Sequence, residues 1–185
     1  MKILNLVLIY SSLSFASSSI HLDQGNIEFI AIGKPTALKI HGKGEAAKGT
    51  LKLEGNALSG KLDFDLDSLD TGLKLRNEHM KKKYLETDKF KQASLTLYPL
   101  KLPDSFKVSD AKQENIPFQG TLLLHGVLKT MNGLALIEKS SGKLSIRSTF
   151  GLKLTDYSIA IPSFAGVTVA EDVDVLVQLA GTITN

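Results

Sequence analysis

Leu58-Ser-Gly-Lys-Leu62-Asp-Phe64-Asp-Leu66 alternates apolar with polar residues, so it reads as a β-strand with one dry face and one wet face. The next stretch is different. Ser68-Leu-Asp-Thr-Gly-Leu-Lys-Leu-Arg-Asn-Glu-His-Met-Lys-Lys-Lys-Tyr-Leu-Glu-Thr-Asp-Lys-Phe90 is helix-prone and basic, with seven lysines and arginines against three acids between Lys74 and Lys91. Beyond it, Leu95 and Leu97 alternate with Ser94, Thr96 and Tyr98 as a strand again. A long connection between two amphipathic strands usually serves as a lid or binding loop.

Outward from this stretch the text is all β. Strands are expected at Ile27–Ile32, Ala37–Lys43, Gly49–Glu54, Ala57–Leu66, Ser94–Pro99, Phe118–His125, Val127–Ile137, Gly142–Leu152 and Val173–Ile183. In the last, Val173, Val175, Val177, Leu179, Gly181 and Ile183 share a face. Gly55-Asn56, Gly126 and Ser141-Gly142 are hairpin signals. All five prolines are expected in loops or at strand ends, and Pro99 to Pro117 reads as an exposed excursion with a short helical turn. Many short strands without strand-helix alternation indicate an antiparallel barrel of about eight strands, closed so that no edge is left open.

Composition narrows the function. Met1-Lys2, the apolar run Ile3–Leu13 and small residues at Ser14 and Ala16 compose a secretory signal peptide, with cleavage expected after Ala16 or, second, after Ser18. Residues 17–185 then form one barrel domain, exported to the periplasm. The chain has no cysteine, which excludes disulfides, thiol catalysis and a thioether-linked membrane anchor. A formal charge of +3 on 22 basic and 19 acidic residues is too mild to indicate nucleic acid.

Chemical motifs are weak. The histidines His21, His41, His79 and His125 lie on separate elements, with no metal-ligand spacing among them, and no metal or other cofactor is expected. His79, inside the basic insertion, is read either as facing a ligand or as pinning the helix to the barrel. Gly42-Lys-Gly-Glu-Ala-Ala47 fits a nucleotide fingerprint superficially but is followed by a strand, so it is expected to be a hairpin turn. No Gly-x-Ser-x-Gly element occurs. Asp63, Asp65 and Asp67 alternate as a solvated strand face. The apolar inventory is the stronger signal. Leu58, Leu62, Phe64, Leu66, Leu95, Leu97, Leu122, Leu124, Ile146, Phe150, Val175, Val177 and Leu179 line one interior, which is either a packed core or a smooth tube for a chain-like ligand.

Ile27-Glu-Phe29, Ser68-Leu-Asp-Thr-Gly72, Arg76-Asn-Glu-His-Met80, Tyr84-Leu85 through Phe90, Gly120-Thr-Leu-Leu-Leu-His-Gly-Val-Leu-Lys129 and Arg147-Ser-Thr-Phe-Gly151 occur in this order along the chain. As a set they resemble the YceI-like family of exported, lipocalin-like, polyisoprenoid-binding proteins. The resemblance implies an eight-stranded antiparallel barrel, capped by the helical insertion, that holds an isoprenoid lipid of quinone or polyprenyl type. On that reading Phe29, Leu62, Phe64, Leu66, Leu95, Leu122, Leu124, Ile146, Phe150, Val175 and Val177 line the tube, and Arg76, His79, Met80 and Tyr84 stand at its mouth. The family's Arg-Asp-x-His reads Arg76-Asn77-Glu78-His79 here, so any ion pair with Arg76 or Lys81 is expected to be weakened, with Glu78 the residue that could compensate. The expected protein is a carrier or scavenger without catalysis, a monomer or homodimer. The rivals are a packed protein-interaction module and a hydrolase using His79.

Overall fold

The structure is a computed structural model that describes residues 17–34, 38–164 and 166–184. The expected leader and Pro35 lie outside the described residues. Ten strands run β1 (Ser17–Lys34), β2 (Leu38–Glu45), β3 (Lys48–Glu54), β4 (Ala57–Asp65), β5 (Gln92–Lys101), β6 (Ala111–Leu124), β7 (Val127–Ser140), β8 (Lys143–Lys153), β9 (Ser163–Phe164) and β10 (Val167–Thr184). All pairings are antiparallel, and β1 with β10 closes the sheet, Ser19 facing Thr184 and Lys34 facing Thr168.

Ten segments make an eight-stranded barrel because β2 and β3 share one place in the wall and β9 pairs only the first residues of β10, beyond the end of β8. The upper half of β1, Asn26–Gly33, pairs β2, whereas its lower half, Ser17–Leu22, pairs β3. The hairpin expected at Gly42–Ala47 is therefore not formed. With 18 residues, β1 is long enough to carry both short strands end to end, and the step between them tucks Ala46 and Ala47 into the core. Gly42 is instead a contact surface inside β2. A Cβ there would fall 2.0 Å from Phe29 Cε1.

Three other expectations change. β1 begins ten residues before Ile27, its first half disguised by serines and by a register shift between Leu22 and Gln24, although Ile20 and Leu22 are fully buried. Ala111–Pro117 is strand, not loop. Its polar run Lys112–Asn115 faces solvent and spans a register shift, with Asn115 at φ 55°. Pro99 and Pro117 accordingly lie inside strands. Both are tolerated because β5 and β6 pair only over Ser94–Leu97 and Gly120–Leu123, so neither proline lies in that ladder. The aspartate row also ends early. Asp63 bonds Ser94 and Lys61, Asp65 caps the following turn by accepting the Asp67 N–H, and Asp67 has left the strand.

The turns at His125-Gly126 and Ser141-Gly142 have positive φ at both residues (50° and 75°, 49° and 75°), the mirror-image geometry that suits a twisted hairpin. Where β5 and β6 part, the expected short helix α2 (Ser105–Val108) plugs the barrel. Leu102, Phe106 and Leu144 are at most 2% exposed there and seal that end. The insertion crosses the other end as helix α1 (Lys74–His79) followed by one π-helical turn, Met80–Tyr84.

Candidate functional site

Between the sealed end and the insertion lies a cavity of about 680 Å³. The alternation of β4, β5, β6, β8 and β10 puts its apolar residues inside. Leu62, Phe64, Leu66, Leu122, Leu124, Val175 and Val177 are buried. Phe29, Leu95, Ile146 and Phe150 are only partly buried, because they face the hollow and not a packed neighbour. Every residue assigned to the tube borders this space, and so do Arg76, His79, Met80 and Tyr84 at the mouth. Below the mouth, Ser148 alone among the described lining residues brings a polar side chain into the wall, and none of the described lining residues is an aspartate or glutamate. A chamber of this kind offers dispersion and burial to a guest but little hydrogen bonding.

The insertion is fastened on three sides. On the first, Asp70 and Lys43 exchange backbone hydrogen bonds at 2.7 and 2.8 Å, closing the gap that β2 leaves beside β4. Here Asn77 shows what its amide is for. Its Oδ1 accepts from the Thr71 N–H and Oγ1–H at 2.8 and 2.7 Å, and its Nδ2 donates to Asp70 Oδ1 at 2.5 Å. An aspartate in that place would confront the Asp70 carboxylate. Position 77 is thus partnered to Thr71 and Asp70, in keeping with the loss of a carboxylate that could pair Arg76 or Lys81. The Gly72 N–H, with Asn77 second, holds the Asp70 carboxyl below its ordinary pKa. Arg76 donates from Nε to Thr71 Oγ1 and from Nη2 to Thr71 O at 2.8 and 2.6 Å, and Lys81 donates to Asp67 O.

On the second side Tyr84 Oη lies against the backbone of Ser163, accepting its N–H at 3.3 Å. The third fastening was not anticipated. His125 lies between Tyr157 O, 3.1 Å from Nδ1, and Glu86 Oε2, 3.0 Å from Nε2, with Phe90 tilted against its ring at 4.5 Å. Its side chain is 9% exposed. His125 thus pins the insertion to the barrel, and its place in a hairpin turn gives no hint of a partner 39 residues away. Lys89, ahead of His125, lowers the pKa of Glu86.

Some lining residues were missed by sequence. Leu38 and Ile40 of β2, Leu73 and Leu75 around the start of α1, and Val167 and Val169 of β10 complete the mouth. Leucines in so basic a segment were the available signal. Among the described residues no cluster of histidine and carboxylate ligands suits a metal ion.

A closed antiparallel barrel around a lidded, apolar chamber is a lipocalin-like architecture. The sequence matches the YceI-like domain over residues 16–180, and the chain belongs to that family. No protein of curated function matches it. Among solved structures it is similar to a polyisoprenoid binding domain from Saccharophagus degradans implicated in plant cell wall breakdown, at 18% identity and TM-score 0.69, covering 89% of this chain and 97% of that one. It is also similar to BcnA of Burkholderia cenocepacia (17%, TM-score 0.66, 84% and 96% covered) and to the YceI protein of Campylobacter jejuni (14%, TM-score 0.64, 98% of each covered). At these identities the likeness is one of fold.

Proposed function

We propose that this chain is an exported carrier or scavenger that holds the tail of an isoprenoid lipid, of quinone or polyprenyl type, inside its barrel and performs no chemistry on it. The observation that carries the reading is the chamber itself, walled by apolar side chains, with the plug of α2 at one end and the insertion across the other. Its hydrocarbon wall suits a branched chain without hydrogen-bonding groups. Burial supplies roughly 0.8 kcal/mol per carbon gross, reduced by the cost of ordering the tail. Head-group contacts at Arg76, His79, Met80 and Tyr84 are secondary. The Saccharophagus domain, described as polyisoprenoid binding, supports the ligand class. All the described lining comes from one chain, so a monomer suffices for binding and a homodimer would carry two such chambers.

Periplasmic delivery rests on the leader at residues 1–16. Mass spectrometry of organic extracts from natively purified protein tests the ligand. A prenyl lipid in near-stoichiometric amount is the expected result. Its absence from repeated preparations that retain the fold would overturn the carrier reading.

A further inference from the structure

Three of the exposed large apolar residues line the chamber mouth, Leu38 (48% exposed), Leu73 (58%) and Leu75 (55%), and a fourth, Ile161 (38%), directly precedes the lining residues Pro162 and Ser163. They come from β2, from the start of α1 and from the segment leading into β9, so three separate parts of the chain converge on one rim. The remaining exposed ones, Tyr98, Leu123, Leu128 and Leu134, lie on the outer wall of β5, β6 and β7. A gathered apolar rim marks an interaction surface.

Its charge says with what. Lys34 and Lys39 stand exposed at the adjoining ends of β1 and β2, and Lys74 and Lys83 are exposed on the insertion. Asp67, Asp70, Glu78 and Asp88 gather in a polar crevice that meets the chamber at Lys74, and none of the four lines the chamber itself. Leucines flanked by lysines match a surface that is greasy beneath and anionic on top.

We infer that this rim docks transiently on an anionic lipid bilayer, placing the chamber mouth at the acyl boundary so that a tail passes between membrane and barrel without crossing water. The inference rests on the isoprenoid reading for its purpose, but the surface is defined independently of it. No described helix is long and apolar enough to cross a membrane, and docking needs none.

The mature protein is sedimented with vesicles of phosphatidylethanolamine and phosphatidylglycerol, and separately with phosphatidylcholine vesicles. Binding to the anionic vesicles, about tenfold weaker on phosphatidylcholine and at high salt, is expected. Ile161→Ser with Lys39→Glu changes two exposed rim residues that do not line the chamber. This variant should lose about tenfold in vesicle binding, while its uptake of farnesol in vesicle-free solution stays at the wild-type level. Failure of the wild type to bind anionic vesicles, or a variant that binds them undiminished, overturns the inference. Vesicle binding without farnesol uptake sustains the docking surface and sinks the isoprenoid reading instead.

Discussion

Replacing Ala135 with Phe should shorten the longest tail the barrel can bury. Ala135 lies in β7 between Ile116 of β6 and Ser148 of β8, is 5% exposed and borders the chamber. The capacity can be worked out in two ways. If a hydrocarbon carbon takes about the space of a water molecule, roughly 30 Å³, a five-carbon isoprene unit takes about 150 Å³. The 680 Å³ chamber then holds four to five units. The lining on β10 runs from Val167 to Leu179. At about 3.3 Å per residue and a tilt of about 40° that is roughly 30 Å of barrel axis. Four main-chain carbons with bonds of about 1.5 Å advance about 5 Å, which gives about six units. The two estimates agree on about five.

Each buried unit gains about 4 kcal/mol gross, and freezing its single bonds costs back about 2 kcal/mol. Affinity should rise about thirtyfold per unit and level off near five units, where the tail reaches the sealed end. A phenyl ring at position 135 adds about one unit's worth of carbon. The plateau should then arrive one unit sooner, with farnesyl-length affinity unchanged and the longest tails weakened about thirtyfold. Because the ring enters open space, stability should change by less than about 1 kcal/mol, below the usual cost of overpacking. Displacement of a fluorescent prenyl probe by alcohols of increasing length is the assay. Affinity indifferent to length, or a plateau that stays put in a folded variant, would refute the volume argument.

Other outcomes rest on the fastenings. His125→Ala strips the bonds to Glu86 and Tyr157 and leaves alanine at a left-handed φ, so a loss of about 2–3 kcal/mol on the scale of buried polar contacts and backbone strain is expected in urea unfolding. His125→Asn, whose backbone tolerates that φ, should lose about 1 kcal/mol less; equal losses would mean that the strain contributes nothing. Folding lowers the Glu86 pKa, so the folded state binds fewer protons there than the unfolded state. The contact therefore contributes fully above the ordinary value of 4.5 and fades as pH falls through the depressed one. Hydrogen exchange at Thr87–Phe90 should accelerate over that acid window in the wild type and show no such step in Glu86→Gln. Mass measurement of the exported chain should place its first residue at Ser17. A start at Ser19 would remove the pairs Ser17–Glu54 and Ser18–Leu53 and contradict the first choice of cleavage site.

Much of the barrel is written in the chain because inward and outward alternation survives in any sheet, whatever its partners. That is why Leu58–Leu66 and Val173–Ile183 disclose their faces, and why the residues assigned to the tube border the chamber. The mouth residues were named through family motifs, and the structure brings them to one rim. His125 and the rim leucines were not legible, since their partners come from segments remote in sequence.

Register and wall order belong to the tertiary structure. No local pattern says that one 18-residue strand will carry two short ones in series, or that the polar run Lys112–Asn115 is the outer face of a strand. Whether the interior is hollow is decided there too. The same leucines, valines and phenylalanines serve a packed core or a tube, and the space left between them depends on circumference, which strand number and stagger set only when the sheet closes on itself. Alternation along the chain says which side chains turn inward; closure of β1 on β10 sets how far apart they stand.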